Sequence, residues 1–159
     1  MKEYYLRFPS VLKNALKNNV INMPDNIEIE YDDITAFRAI RFIKDKKEVR
    51  EKRDFLSQID LKMTGDKNFL KYSEDDVDNY GTSVYDDKEE LVLGFKLPKK
   101  NKGIAIGLVK KECGPVSRSD EDSHILWFLY DGASPEKYFE VVEYYEEVDR
   151  GKKYRTIEL

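Results

Sequence analysis

The chain has 159 residues, 38% of them charged and 40% hydrophobic, with a formal net charge of -4. Such a length buries a real core within one domain. A mean hydropathy of -0.70 without a long apolar run excludes a membrane-spanning helix. The 13% aromatic content excludes wholesale disorder, and the mild acidity argues against a dedicated nucleic-acid binder.

Ser10, after Pro9, opens a helical spacing of Val11, Leu12, Ala15 and Leu16 and is read as its N-cap. Ile27, Ile29 and Tyr31 alternate with Glu28 and Glu30, which predicts a half-exposed strand. Ile34 to Ile43 is β-branched, aromatic and apolar on both parities, so it is read as a central strand, followed by a solvated charged run from Lys44 to Glu48. Val49 to Ile59 fits a short helix or an irregular loop equally.

Ser73 to Asp76 should open a short helix ending at Gly81, and Thr82 to Tyr85 a short strand. Asp86 and Glu89 read as a capping pair for a helix carrying Leu91, Val92 and Phe95, stopped by Pro98. Ile104 to Val109 is a second buried strand, in which Gly107 permits close backbone approach. Cys113 to Ser123 reads as a polar, mobile loop.

His124 to Tyr130 gives the strongest strand signal. Alternation puts His124, Leu126, Phe128 and Tyr130 on one face and Ile125, Trp127 and Leu129 on the other. Ser134 and Pro135 begin a brief helix. Phe139 to Glu147 and Lys153 to Ile157 form strands joined by a turn at Asp149 to Lys152. Many strands follow one another directly. The expected architecture is a single α+β domain spanning 1–159, with a largely antiparallel or mixed sheet of about five to seven strands and two to four short helices.

The lone Cys113 excludes an intramolecular disulfide, and one histidine excludes a multi-histidine metal site within the chain, so no metal is expected. Phosphate-loop, dinucleotide, zincin and nucleophile-elbow motifs are absent, and no cofactor is called for. The first residues lack an apolar signal core and the last form no lipidation box, so a cytoplasmic location is expected.

A few polar residues stand out. Arg38 and Arg41 interrupt an apolar strand and, three apart, point to opposite faces. A buried guanidinium needs a partner, so they are candidates for binding an anion. His124 is the only side chain that titrates near neutrality, and it sits at a strand start after Asp120-Glu121-Asp122. Thr82 and Ser83 supply hydroxyls beside Gly81. On a regular strand Glu140 and Glu146 share one face, and Glu143 and Glu147 the other. Tyr138, Tyr144 and Tyr145 interleave with these carboxylates.

Two functions follow as expectations. The first is a binding or protein-interaction module that meets a protein partner, or another copy of itself, through the tyrosine-rich C-terminal hairpin. The second is an enzyme. The order of Arg38 on a strand, then Thr82 and Ser83 at a strand start, then Glu140 or Glu143 late in the chain, loosely resembles the ADP-ribosyltransferase pattern. That resemblance implies NAD cleavage, with Arg38 on the dinucleotide phosphates, Ser83 supporting the site and the glutamate stabilising the oxocarbenium ion. The Ser-Thr-Ser triplet is incomplete here, and the late glutamates form no Glu-x-Glu loop. His124 has no part in that scheme.

Overall fold

In a computed structural model of the protein, residues 2–40, 51–149 and 153–159 are described. Seven strands form one sheet: β1 (Ile34–Ile40), β2 (Thr82–Tyr85), β3 (Gly103–Val109), β4 (Val116–Arg118), β5 (His124–Trp127), β6 (Phe139–Glu147) and β7 (Tyr154–Glu158). Their spatial order is β4-β5-β2-β1-β3-β6-β7. Every neighbouring pair is antiparallel. Three α-helices accompany the sheet: α1 (Ser10–Lys17), α2 (Gln58–Met63) and α3 (Lys88–Phe95). The expected α+β class with an antiparallel sheet is what the chain adopts.

The central pair explains why the chain folds around β1. Ile34 to Ile40 meets Val109 to Gly103 along its whole length, whereas among the described residues β1 meets β2 only at Phe37 and Tyr85. On one face of the sheet Ala36, Val84, Ala105, Ile125, Trp127, Phe139 and Val141 form the main core, closed by Phe55. Phe55 and Phe139 meet edge-on, with ring centroids 5.1 Å apart. On the other face α3 packs Leu91 against Ala39 and Ile104, with Phe37, Tyr85 and Val142 alongside. Leu12, Ala15 and Leu16 of α1 join Phe8, Leu126, Phe128 and Tyr130 in a further cluster. The two faces of the His124–Tyr130 run divide as alternation predicts, with Leu126 in one cluster and Ile125 and Trp127 in the other.

Close approach matters at Gly107. A Cβ there would lie 2.2 Å from the Tyr138 carbonyl oxygen and 2.4 Å from Phe139 Cγ. Only glycine lets the Tyr138–Phe139 backbone cross β3 at this point.

Several local expectations shift. Pro9, extended at ψ 155°, is the N-cap of α1, and Ser10 is already helical. Asp87 rather than Asp86 caps α3, its carboxylate accepting from the Glu89 and Glu90 N–H groups. The turn opened after Ser73 is a 3-10 helix over Val77–Tyr80, capped by Asp76. The ambiguous 49–59 stretch resolves, from Glu51 onward, into a 3-10 turn at Lys52–Phe55 and the start of α2, whose Ser57 and Asp60 form a reciprocal capping box. Residues 41–50 and 150–152, which include Arg41, the charged run after it and most of the final turn, lie outside the described residues.

Two larger corrections concern the far edge. Ile27 to Tyr31 is not a strand. It makes a single bridge, Glu28 to Val116, because Ile27 N–H turns back to Pro24 and the Tyr31 hydroxyl is drawn to the Gly114 carbonyl. Cys113 to Ser123 is not simply a polar loop. It contains β4, and Cys113, Gly114, Pro115 and Val116 are buried against β5.

The third correction is a β-bulge in β6. Ile104 faces Glu143, but the next residue, Ala105, faces Val141. Val142 is therefore supernumerary, and residues on either side of it change phase. Glu140, opposite Ile106, and Glu143, opposite Ile104, consequently share the α3 face, while Glu146 lies on the other.

Candidate functional site

The polar residues singled out above converge in part, around β2. Arg38 belongs to the main core and is only 2% exposed. Its Nε donates to the Asp54 carbonyl at 3.0 Å and its Nη1 to the Ser83 carbonyl at 2.7 Å. Among the described residues β1 and β2 pair at Phe37 and Tyr85, and the guanidinium adds a side-chain link from β1 to the β2 backbone. Thr82 is buried as well, its hydroxyl donating to the Phe55 carbonyl. Arg38 and Thr82 thus anchor the same turn, Lys52–Phe55, to the sheet.

Ser83 points to the opposite face from Thr82. Its Oγ and His124 Nε2 share a hydrogen bond of 2.9 Å across β2 and β5. The imidazole lies beside the Tyr85 ring, with centroids 5.0 Å apart. Asp122 accepts from the His124 backbone N–H at 3.0 Å, which fixes the strand start. Burial lowers the imidazole's affinity for a proton, helped by the Arg38 charge and opposed by Asp122 and Asp78. Desolvation, with Asp76 nearby, raises the Asp78 carboxyl.

A depressed histidine has a definite consequence for stability. Between its folded pKa and the ordinary value near 6.5, the unfolded chain binds more protons than the folded one. Stability therefore falls as pH drops through about 6.5 and levels off below the folded pKa. Urea unfolding from pH 8 to pH 5 should show this slope, and His124→Gln should flatten that part of it. An unchanged slope in the variant would assign it to other groups.

Glu143 does not join this cluster. It is 5% exposed on the α3 face, in an ion pair with Lys88 Nζ, and accepts from the Tyr145 hydroxyl at 3.3 Å. The Arg38 guanidinium lies in the core on the other face of the sheet, and Glu140 is exposed. Among the described residues Arg38 and Ser83 share no cleft with Glu140 or Glu143. Tyr145, expected on the surface, is 7% exposed, and burial together with the Glu143 charge raises its hydroxyl pKa.

Glu143 also stands opposite Glu158 of β7, a like-charge pair in which Lys88 offsets the Glu143 carboxylate. Lys88→Ala should cost about 1–3 kcal/mol, the lower end being favoured by the partial exposure of the lysine. Adding Glu143→Gln should recover part of the loss in urea titrations. Equal stability of Lys88→Ala and the parent would show that the pair contributes nothing.

Cys113 offers no nucleophile. Its thiol is buried, and desolvation pushes its pKa up, with Glu112 and Glu136 adding to the effect. Among the described residues no group of three or more His, Cys, Asp or Glu side chains is placed to hold a metal ion.

A cavity of about 300 Å³ opens between Pro9 and Leu12 of the N-terminal segment, Phe55 and Met63, and Leu129 and Ala133. Of the sequence-flagged residues only Thr82 reaches it, and that hydroxyl is already engaged. Tyr80, also on its wall, donates its hydroxyl to the Glu74 carbonyl.

The sheet's two edges differ sharply. β4 has three residues and is covered by the Glu28–Val116 bridge, by Asn26 bonding to Ser117 and Arg118, and by the Arg118–Glu28 ion pair. β7 has five residues, and no strand among the described residues lies beyond it. Sequence reasoning did not foresee the covered edge, because its partner Glu28 is far away in the chain.

Comparisons with protein-family models, with curated proteins and with solved structures find no match for this chain. Among the described residues no helix is long and apolar enough to cross a membrane.

Proposed function

We propose that the protein is a cytoplasmic binding module that takes a protein partner along the outer edge of the β6–β7 hairpin. One observation carries this reading: one sheet edge is covered, while the five-residue edge β7 has no strand beyond it among the described residues. A strand edge presents alternate N–H and C=O groups to a further extended chain, and proteins usually block edges they do not use. Tyr154 and Ile157, half-buried on opposite faces of β7, supply side-chain contacts to such a strand. Tyr138 and Tyr144 add aromatic surface near the hairpin, while Tyr145 serves the interior.

The test compares the parent with Ile157→Lys, since an edge lysine opposes strand addition. Mass measured in solution over a range of concentrations reads self-association, and partner capture from the source cell reads a heterologous strand. Ile157→Lys should abolish whichever is found while leaving thermal unfolding nearly unchanged. A strict monomer that captures nothing, or capture indifferent to Ile157→Lys, overturns the proposal.

The NAD-cleaving reading draws on a single observation, the contact of Ser83 with both Arg38 and His124. The Lys88–Glu143 ion pair, and the place of Glu143 on the sheet face opposite the Arg38 guanidinium, weigh against it. Incubation with NAD, comparing the parent with Ser83→Ala and Glu143→Gln, decides. Nicotinamide release that both changes abolish would support it, and no release would retire it.

A further inference from the structure

The cavity of about 300 Å³ beside α1 is apolar inside. Leu12, Phe55 and Leu129 wall it, and Met63 lines it while half exposed to solvent. The polar groups that reach it from the interior are already engaged. The Thr64 hydroxyl donates to the Leu61 carbonyl at 2.7 Å, Tyr80 to the Glu74 carbonyl at 2.6 Å, and Thr82 to the Phe55 carbonyl. Asp60 and Ser57 are tied to each other's backbone by their capping box. Walls whose polar atoms are satisfied within the protein favour an apolar body in the cavity.

Two exposed charges of the lining are not engaged. Lys52 comes from the turn before α2, and Asp131 from the turn after the His124–Tyr130 run. Among the described residues neither side chain has a hydrogen bond or an ion-pair partner, and the two are not paired with each other. A ligand with a single charge is attracted by one of them and repelled by the other, whereas a zwitterion suits both.

We infer that this cavity binds a small zwitterion with an apolar side chain, of the amino-acid class. The side chain fills the interior, the carboxylate meets Lys52 and the ammonium meets Asp131. The volume lies at the small end of the usual range for ligand sites, which suits one such side chain. Burial of that side chain supplies most of the affinity, and the two exposed charges orient the ligand. The inference is independent of the partner proposed for β7, since no residue of the β6–β7 hairpin lines the cavity.

Amide chemical shifts of the full chain, followed by NMR as ligand is added, test both requirements. The probes are phenylalanine, phenylpropanoate, phenethylamine and glycine. Phenylalanine should shift the amides of Ser57, Thr64, Gly132 and Ala133. Phenylpropanoate lacks the ammonium and phenethylamine the carboxylate, so each should bind about threefold more weakly or worse. Glycine lacks the side chain and should bind about tenfold more weakly or not at all.

Lys52→Gln should weaken phenylalanine about threefold and leave phenethylamine no weaker, and Asp131→Asn should do the same for phenylalanine and leave phenylpropanoate no weaker. Ala133→Leu, which adds bulk at the wall, should abolish binding, and Met63→Phe serves the same purpose should that variant unfold. Absence of shifts around the cavity at millimolar phenylalanine would overturn the inference. So would glycine or either singly charged probe binding as tightly as phenylalanine, or indifference to both charge changes.

Discussion

Arg38→Ala should lower stability by about 3–5 kcal/mol, the sum of a cavity and two carbonyls left without their donor. The side chain is 2% exposed and bonds the Asp54 and Ser83 carbonyls at once. It therefore joins three pieces: β1, β2 and the Lys52–Phe55 turn that closes the core through Phe55. Lysine is not a substitute, because one ammonium lacks the forked geometry that reaches two carbonyls in different directions. Arg38→Lys should recover less than half of the loss. Thermal unfolding followed by far-ultraviolet dichroism measures it, with a fall of about 10 °C for the alanine variant. A fall of only a degree or two would show that the guanidinium is a replaceable filler. Such a result would also return Arg38 to the list of ligand-binding residues.

Gly114→Ala should cost a similar amount, about 3–5 kcal/mol, for two separate reasons. The backbone there has φ +150° and ψ 164°, a region that essentially only glycine occupies. An added Cβ would also lie 2.0 Å from the Phe128 carbonyl oxygen. Moving the backbone away is not free, because the Gly114 carbonyl accepts from both the Tyr31 hydroxyl and Trp127 Nε1. Gly65→Ala is the control. It has φ +88° but nothing within 4 Å of the new Cβ, so it pays only the conformational part, about 1 kcal/mol. Urea titrations of the two variants read the difference. Equal losses would mean that the Phe128 backbone yields without cost.

The same residues show how much of the molecule is legible in its sequence. β3 and β6 lie where apolar runs and alternation put them, since those signals depend only on neighbours along the chain, and β5 takes only His124–Trp127 of the His124–Tyr130 run. Ile27 to Tyr31 carries the same alternation and is not a strand. Alternation reports which side chains seek burial, and strand formation needs a backbone partner that the pattern does not reveal. Arg38 was legible as an anomaly inside an apolar strand. Its occupation, a donor to two carbonyls from distant segments, is a tertiary fact. Arg38 and Thr82 as ligand-binding candidates, and Glu143 as a catalytic one, stand out in the sequence, and each is a buried polar residue bonded to other parts of the protein. The Ser83–His124 hydrogen bond links residues 41 apart in the chain, through a pairing of β2 with β5 that no local signal specifies.

The bulge at Val142 makes β6 a strand with one residue to spare. Counted against β3, the positions before and after it are in step only if Val142 is skipped. A chain shortened by that residue would keep Phe139 and Val141 toward Trp127 and Glu143 and Tyr145 toward α3, losing chiefly the contact of Val142 with the α3 cluster. A chain in which β6 paired without the bulge at its present length would drive the Glu143 carboxylate into the Trp127 core and strand Lys88 on the other side. Length variation in this hairpin is therefore tolerable at one position, and the phase of every carboxylate beyond it depends on that position.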